Sequence, residues 1–245
     1  MARYLFCAVS TDATPDLRGW NGEGAPLSLV AAGAIAGVVG TVDDLRYGGE
    51  TLARATRDLS ELAPYAKAHQ DVVQYVFERA GAVVPIAFGS LHHTDEDVRR
   101  SLEEQSARLT GLLRRFRNTH EWGLRLARRR ARVAVAAGEP GAGAAYLASR
   151  RAELRGELDA ETQRAAAELD GALGAASRER RVLAQAIGDL VLRVAYLVPA
   201  SEADAVKRIV LERGVDLERL GLGAELSGPW PPYSFVDVAA DEGSR

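Results

Sequence analysis

Two periods alternate along this chain: short apolar runs of strand length, and longer stretches in which apolar residues return every three or four positions. Tyr4–Val9 is an unbroken aromatic and aliphatic run, and it predicts a buried strand. Thr11–Ala25, with Pro15, Gly19, Gly22 and Gly24, predicts a loop. Leu27–Val42 has only Ser28 and Thr41 as clearly polar side chains. It is shorter than the roughly 20 residues a membrane-spanning helix needs, and Gly33, Gly37 and Gly40 interrupt it. The pattern predicts two short buried strands joined by a turn at Ala32–Gly33. From Thr51 to Ala80 a helix is expected, its apolar stripe running through Leu59, Leu62, Ala66, Val73, Val76 and Phe77. Pro64 predicts a break or a new first turn there, and Gly81 a C-terminal cap.

Val83–Phe88 is a short extended segment, which Pro85 keeps out of the centre of a sheet. With Phe88 and Gly89, Pro85 forms an expected hinge between strand and loop. Thr94-Asp-Glu-Asp97 has the form of a capping box, and Val98, Leu102, Leu109, Leu112, Leu113 and Phe116 make one stripe of the helix behind it. Asn118–Glu121 closes that helix, and Trp122–Ala127 opens the second half as a strand. Ala144–Arg181 contains no proline and is rich in Ala, Arg, Glu and Leu, which predicts one long helix. Its narrow stripe passes through Leu147, Leu154, Leu158, Ala165, Leu169, Leu173 and Ala176. Asp189–Pro199 follows as a central strand. Ser201-Glu-Ala-Asp204 resembles a second capping box, opening a helix expected to stop at Gly214. This order predicts an α+β protein of two domains: a small-sheet α/β domain over 1–120 and a ferredoxin-like domain with a long helix over 121–245.

Composition narrows the function more by exclusion than by assertion. Apolar residues make up 47% and charged residues 27%, which is enough apolar material for a packed core. A net charge of -3 argues against nucleic acid as a partner, because phosphate binding needs a basic excess. The arginines at 114, 115 and 117, and those between 125 and 132, are balanced by acidic residues in the same half and predict a solvated face. The single cysteine, Cys7, lies in the first apolar run and reads as a small buried hydrophobe. The start of the chain is too short of apolar residues for a signal peptide, so the cytoplasm is the expected compartment.

No catalytic constellation emerges. The chain has neither a phosphate loop nor a Gly-x-Ser-x-Gly elbow. His92 and His93, with Asp95, Glu96 or Asp97, offer metal-ligand types, but adjacent side chains of an extended segment point to opposite faces. No metal, no cofactor and no enzymatic activity are expected. His69, in the middle of a helix, is expected to be a hydrogen-bonded structural residue. The most unusual local feature is Gly228-Pro-Trp-Pro-Pro-Tyr233, followed by Ser234-Phe235. Its prolines stiffen the backbone and its aromatic rings offer area to bury, so it reads as a terminal segment docked on the second domain.

Several of these stretches together resemble the GvpL/GvpF family of gas vesicle proteins. They are the opening Tyr4-Leu-Phe6, the block Ala68-His-Gln-Asp-Val-Val73 with Val84-Pro-Ile-Ala-Phe-Gly89, the segment Glu121-Trp-Gly-Leu-Arg-Leu126, and the Pro-Trp-Pro-Pro-Tyr ending. They span nearly the whole chain in family order. Ile86-Ala87 and His92-His93 depart from the usual residues at those positions. The resemblance implies a minor accessory protein needed to form the gas-filled shell, contacting the small hydrophobic shell protein and other gas vesicle proteins, without catalysis. The family-motif residues it marks as possible partner contacts are Pro85, Phe88, Gly89, Trp122, Gly123, Pro229, Trp230, Pro231, Pro232 and Tyr233. The competing reading is a regulatory α+β protein that binds a small ligand.

Overall fold

The structure is a computed structural model, which describes residues 1–20, 26–43, 59–129 and 142–236. It is an α+β protein. The chain divides into two compact units, one formed by Met1–His120 with the chain from Trp230 onward, the other by Glu121–Pro229.

In the first unit β1 (Ala2–Ser10) is flanked by β3 (Ile35–Val42) on one side, and by the short β4 (Val84–Pro85) and β5 (Leu91–His92) on the other. With β2 (Ser28–Ala32) outside β3, the order is β2-β3-β1-β4, and every pairing is antiparallel. The two expected strands of 27–42 are present and turn at Gly33. Proline is tolerated in β4 because β4 ends its sheet. Helix α1 (Leu59–Ala80) packs Val72, Val73, Val76 and Phe77 against Cys7, Val9, Ala36 and Val38. Pro64 lies inside α1 without breaking it, and residues 51–58 of the expected helix lie outside the described residues.

A bulge in β1 decides what faces α1. The register passes from Leu5 opposite Val39 directly to Cys7 opposite Val38, leaving Phe6 as the extra residue. An extra residue reverses the alternation of side chains. Tyr4, Phe6, Cys7 and Val9 therefore share one face, while Leu5 lies on the other, near Leu102. Helices α2 (Asp95–Glu104) and α3 (Ser106–Phe116) belong to that second face. The capping box at Thr94 and Asp97 is formed, with a Thr94 Oγ1 acceptor 3.1 Å from the Asp97 N–H. The single helix expected behind it is two, because Gln105 leaves helical backbone angles (φ −103°, ψ 8°).

The second unit runs β6 (Thr119–Arg128), α4 (Ala142–Ala175), β7 (Glu179–Ile187), β8 (Leu190–Pro199), α5 (Ala203–Arg219) and β9 (Leu222–Trp230), with sheet order β7-β8-β6-β9. Trp122, Leu124 and Leu126 from β6 meet Ala166, Leu169 and Leu173 of α4 and Val194, Tyr196 and Val198 of β8 in its core. Leu147, Leu154 and Leu158 of the expected α4 stripe lie outside the side chains described.

Four expectations need correction. Helix α4 ends at Ala175 instead of running to Arg181, and residues 179–187 are strand β7. Asp170 holds Arg180 and the Tyr196 hydroxyl, which ties the new strand and β8 to the end of the helix. The second capping box is absent: residues 200–202 form a 3-10 turn, and Glu202, at the N-cap, makes no side-chain cap bond. Helix α5 continues through Gly214 to Arg219, sustained by buried Val206 and Leu217. Finally, the terminal segment belongs to the first unit, not the second, because Phe235 is buried and Tyr233 packs on the α1 core. Tyr233–Phe235 forms a 3-10 turn.

Candidate functional site

The structure separates the motif residues into two groups. In the second unit, Trp122 is buried in the core and Gly123 lies beside Ser227 of β9. Gly228, with φ 136°, lets β9 close against β6: a Cβ there would stand 2.8 Å from the Glu121 carbonyl oxygen and 3.1 Å from the Trp122 ring. Pro229 is exposed. This group is a structural joint of the sheet.

The other group assembles in the first unit. A concavity of about 440 Å³ is lined by Ala66, His69 and Gln70 of α1, by residues 85–88 after β4, and by Tyr233 and Val236. Pro85, Phe88 and Tyr233, some 150 positions apart at the extremes, share this one wall. The terminal segment is held there through its backbone: Arg108 donates to the Val236 carbonyl at 2.9 Å and Arg115 to that of Phe235 at 3.4 Å. Pro231 and Pro232 are buried, whereas Trp230 stays 37% exposed. Among the described residues that line it, none carries a formal charge at neutral pH.

At the back of the concavity sits a chain of polar contacts that local pattern could not reveal. The Gly89 N–H donates to the Tyr4 hydroxyl at 2.8 Å, and that hydroxyl lies 3.1 Å from His69 Nδ1. Tyr4, Phe6 and Phe88 surround the imidazole with ring centroids 5.7, 5.7 and 5.8 Å away. Burial pushes His69 down to about 4, so its ring is neutral at neutral pH. Gly89 adopts φ 88°, a backbone region open to glycine, and this turns its N–H inward. His69 is structural as expected, but its partner lies 65 positions away.

Elsewhere the candidate chemistry is engaged otherwise. Among the described residues, no three His, Cys, Asp or Glu side chains are grouped to hold a metal ion. Asp97 is committed to the Thr94 cap, Asp95 to Arg3 at 2.6 Å, and Glu96 to Arg99. Burial raises the Cys7 thiol far above its ordinary range. Arg125, Arg128 and Arg129 pair with Glu225, Asp159 and Glu218, while the arginines at 130 and 132 lie outside the described residues. No helix among the described residues is long and apolar enough to cross a membrane.

A protein named gas vesicle protein L, from Streptomyces sp. (strain CB03234), is 28% identical over 235 residues, covering 89% of this chain and 86% of that protein. The crystal structure of GvpF from Anabaena sp. PCC7120 superposes with a TM-score of 0.68 at 12% identity, covering 100% of this chain and 99% of that one. GvpF from Microcystis aeruginosa gives 0.67 at 15% identity, covering 97% and 99%. At such identities these structures establish the shared fold. The sequence profile described as gas vesicle synthesis protein GvpL/GvpF matches residues 2–237, and the chain therefore belongs to the GvpL/GvpF family of gas vesicle synthesis proteins.

Proposed function

We propose that this protein serves gas vesicle formation as a cytoplasmic accessory component that binds the hydrophobic shell protein and other gas vesicle proteins, and that it catalyses no reaction. The observation that carries this reading is the meeting of Pro85, Phe88 and Tyr233 around an uncharged concavity. A shell subunit that polymerises exposes apolar surface before it is incorporated, and such surface aggregates unless something covers it. An apolar groove on a second protein covers it at little electrostatic cost. The exposed Trp230 and the helix pair Leu211 and Val215, 77% and 58% exposed, add apolar area outside the concavity. The stripe of α4 contributes less, since Ala166, Leu169 and Leu173 are buried in its own unit.

We read the two units as two domains, the second ferredoxin-like. Its order of strand, helix, two strands, helix, strand supports this, as does a sheet in which β6, first of the four strands in sequence, lies between β8 and β9.

The test is co-purification of the tagged full-length protein with the shell protein from cells carrying the complete gene cluster. Shell protein is expected in the eluate, reduced for a Phe88→Ala variant that retains its fold. Shell protein absent from the eluate, while vesicles still depend on the tagged chain, would overturn direct binding.

A further inference from the structure

Helix α5 turns one side to its own core and leaves the other bare. Val206 and Leu217 are buried, and Ile209 and Val210 pack on the core of the second unit. On the far side Leu211 and Val215, one turn apart, are largely exposed. Most charges of the helix are already matched. Lys207 holds Asp204 at 3.0 Å, Arg213 holds Glu168 at 3.0 Å, Arg219 holds Asp216 at 3.2 Å, and Glu218 faces Arg129 at 2.9 Å. Among the described residues this leaves Arg208 and Glu212, both exposed, as the charged side chains of α5 without an ion pair or hydrogen bond. They stand four positions apart, on the same side of the helix as Leu211 and Val215.

We infer that this face of α5 joins a second copy of the chain, helix antiparallel to helix across a two-fold axis. A two-fold contact requires a surface complementary to itself. Reversing α5 about the level of Val210 sets Arg208 opposite Glu212 of the second copy, and Glu212 opposite its Arg208. The two Leu211 side chains then lie beside each other, and Val215 lengthens the apolar strip by one turn. Exposed charges are hydrated and need no partner, so the two ion pairs add little energy; they fix which surface can lie on Leu211 and in which direction. One unmatched charge of each sign, placed so that reversal pairs them, favours a second copy over a different protein. A different protein would have to carry the same two charges at the same spacing independently. A single helix face is a small contact, and the dimer is accordingly weak, with a Kd on the order of tens of micromolar. The inference does not depend on the binding reading, because α5 belongs to the second unit and the concavity is built from residues of the first.

The experiment is sedimentation equilibrium of the purified full-length protein, at concentrations on either side of that value. The average mass should rise from that of one chain toward that of two. Leu211→Lys, at a position open to solvent, should hold the protein monomeric. Arg208→Glu and Glu212→Arg, each alone, set like charges opposite one another twice and should weaken association roughly tenfold. The double variant, in which both charges are exchanged, should return association to that of the parent. A parent chain that stays monomeric throughout would overturn the inference and leave this face to another protein. Dimers indifferent to Leu211→Lys, or single exchanges that the double variant does not rescue, would overturn it by placing the contact elsewhere. All these outcomes are read on the isolated protein, so they are separate from failure to capture shell protein.

Discussion

Tyr4, His69, Phe88 and Gly89 form a unit whose members have distinct energetic roles. Phe88 is half-buried, its ring edge-on to Tyr4 and His69. Phe88→Ala should therefore cost about 1–2 kcal/mol, well below the roughly 3–5 kcal/mol of a fully buried phenylalanine, and urea denaturation measures the difference. Gly89→Ala forces a side chain onto φ 88° and should cost about 1–3 kcal/mol. His69 makes the first unit acid-labile. Its folded value of about 4 lies below the ordinary 6.5, so between those values the unfolded chain binds more protons than the folded one. Stability then rises with pH across that window, and acidification removes up to about 3 kcal/mol. The melting temperature should fall from pH 6.5 to 4, and less steeply in His69→Gln. The sequence showed His69 on a helix at an interior position. It could not show Tyr4, because a helix pattern names the buried face and not what faces it.

Strand β7 shows why some elements escape a reading of local pattern. Glu179-Arg-Arg181 continues the composition of the preceding helix, and as an end strand β7 leaves Val182, Leu183 and Ile187 exposed. A bulge between Val182 and Ala184 further blurs its alternation. What makes it a strand is pairing with β8 and the anchor at Asp170. Burial raises the Asp170 carboxyl, but the hydrogen bonds from Arg180 and Tyr196 outweigh it and hold the group below the usual carboxylate range. Tyr196→Phe removes the 2.7 Å bond to Asp170 and should destabilise the second unit by about 1–2 kcal/mol, read from its thermal unfolding. At the other end of that sheet Gly228→Ala should be worse tolerated than Gly123→Ala. The first meets backbone at 2.8 Å, the second only the movable Ser227 hydroxyl at 3.0 Å.

For the chain as a whole, the terminal segment matters most. Phe235 is 1% exposed in the first unit. Phe235→Ala should cost about 3–5 kcal/mol, and truncation before Pro231 at least as much, seen as a lower melting temperature of the purified protein. A truncated chain that melts like the parent would show the segment to be a free tail. Residue pattern had already established much of this molecule: the paired strands of 27–42, the helix over α1 and the Thr94 capping box. These are local properties, set by side-chain period, by backbone preferences of Gly and Pro, and by hydrogen bonds a few residues apart. The site is not local. Bringing His69, Phe88 and Tyr233 to one wall, with Tyr4 bonded behind His69, needs a bulge that turns β1, a glycine that turns an N–H inward, and a terminal segment that returns to the first unit. Each of those contacts spans tens of residues, and apolar periodicity records that a surface is buried without recording which distant surface buries it.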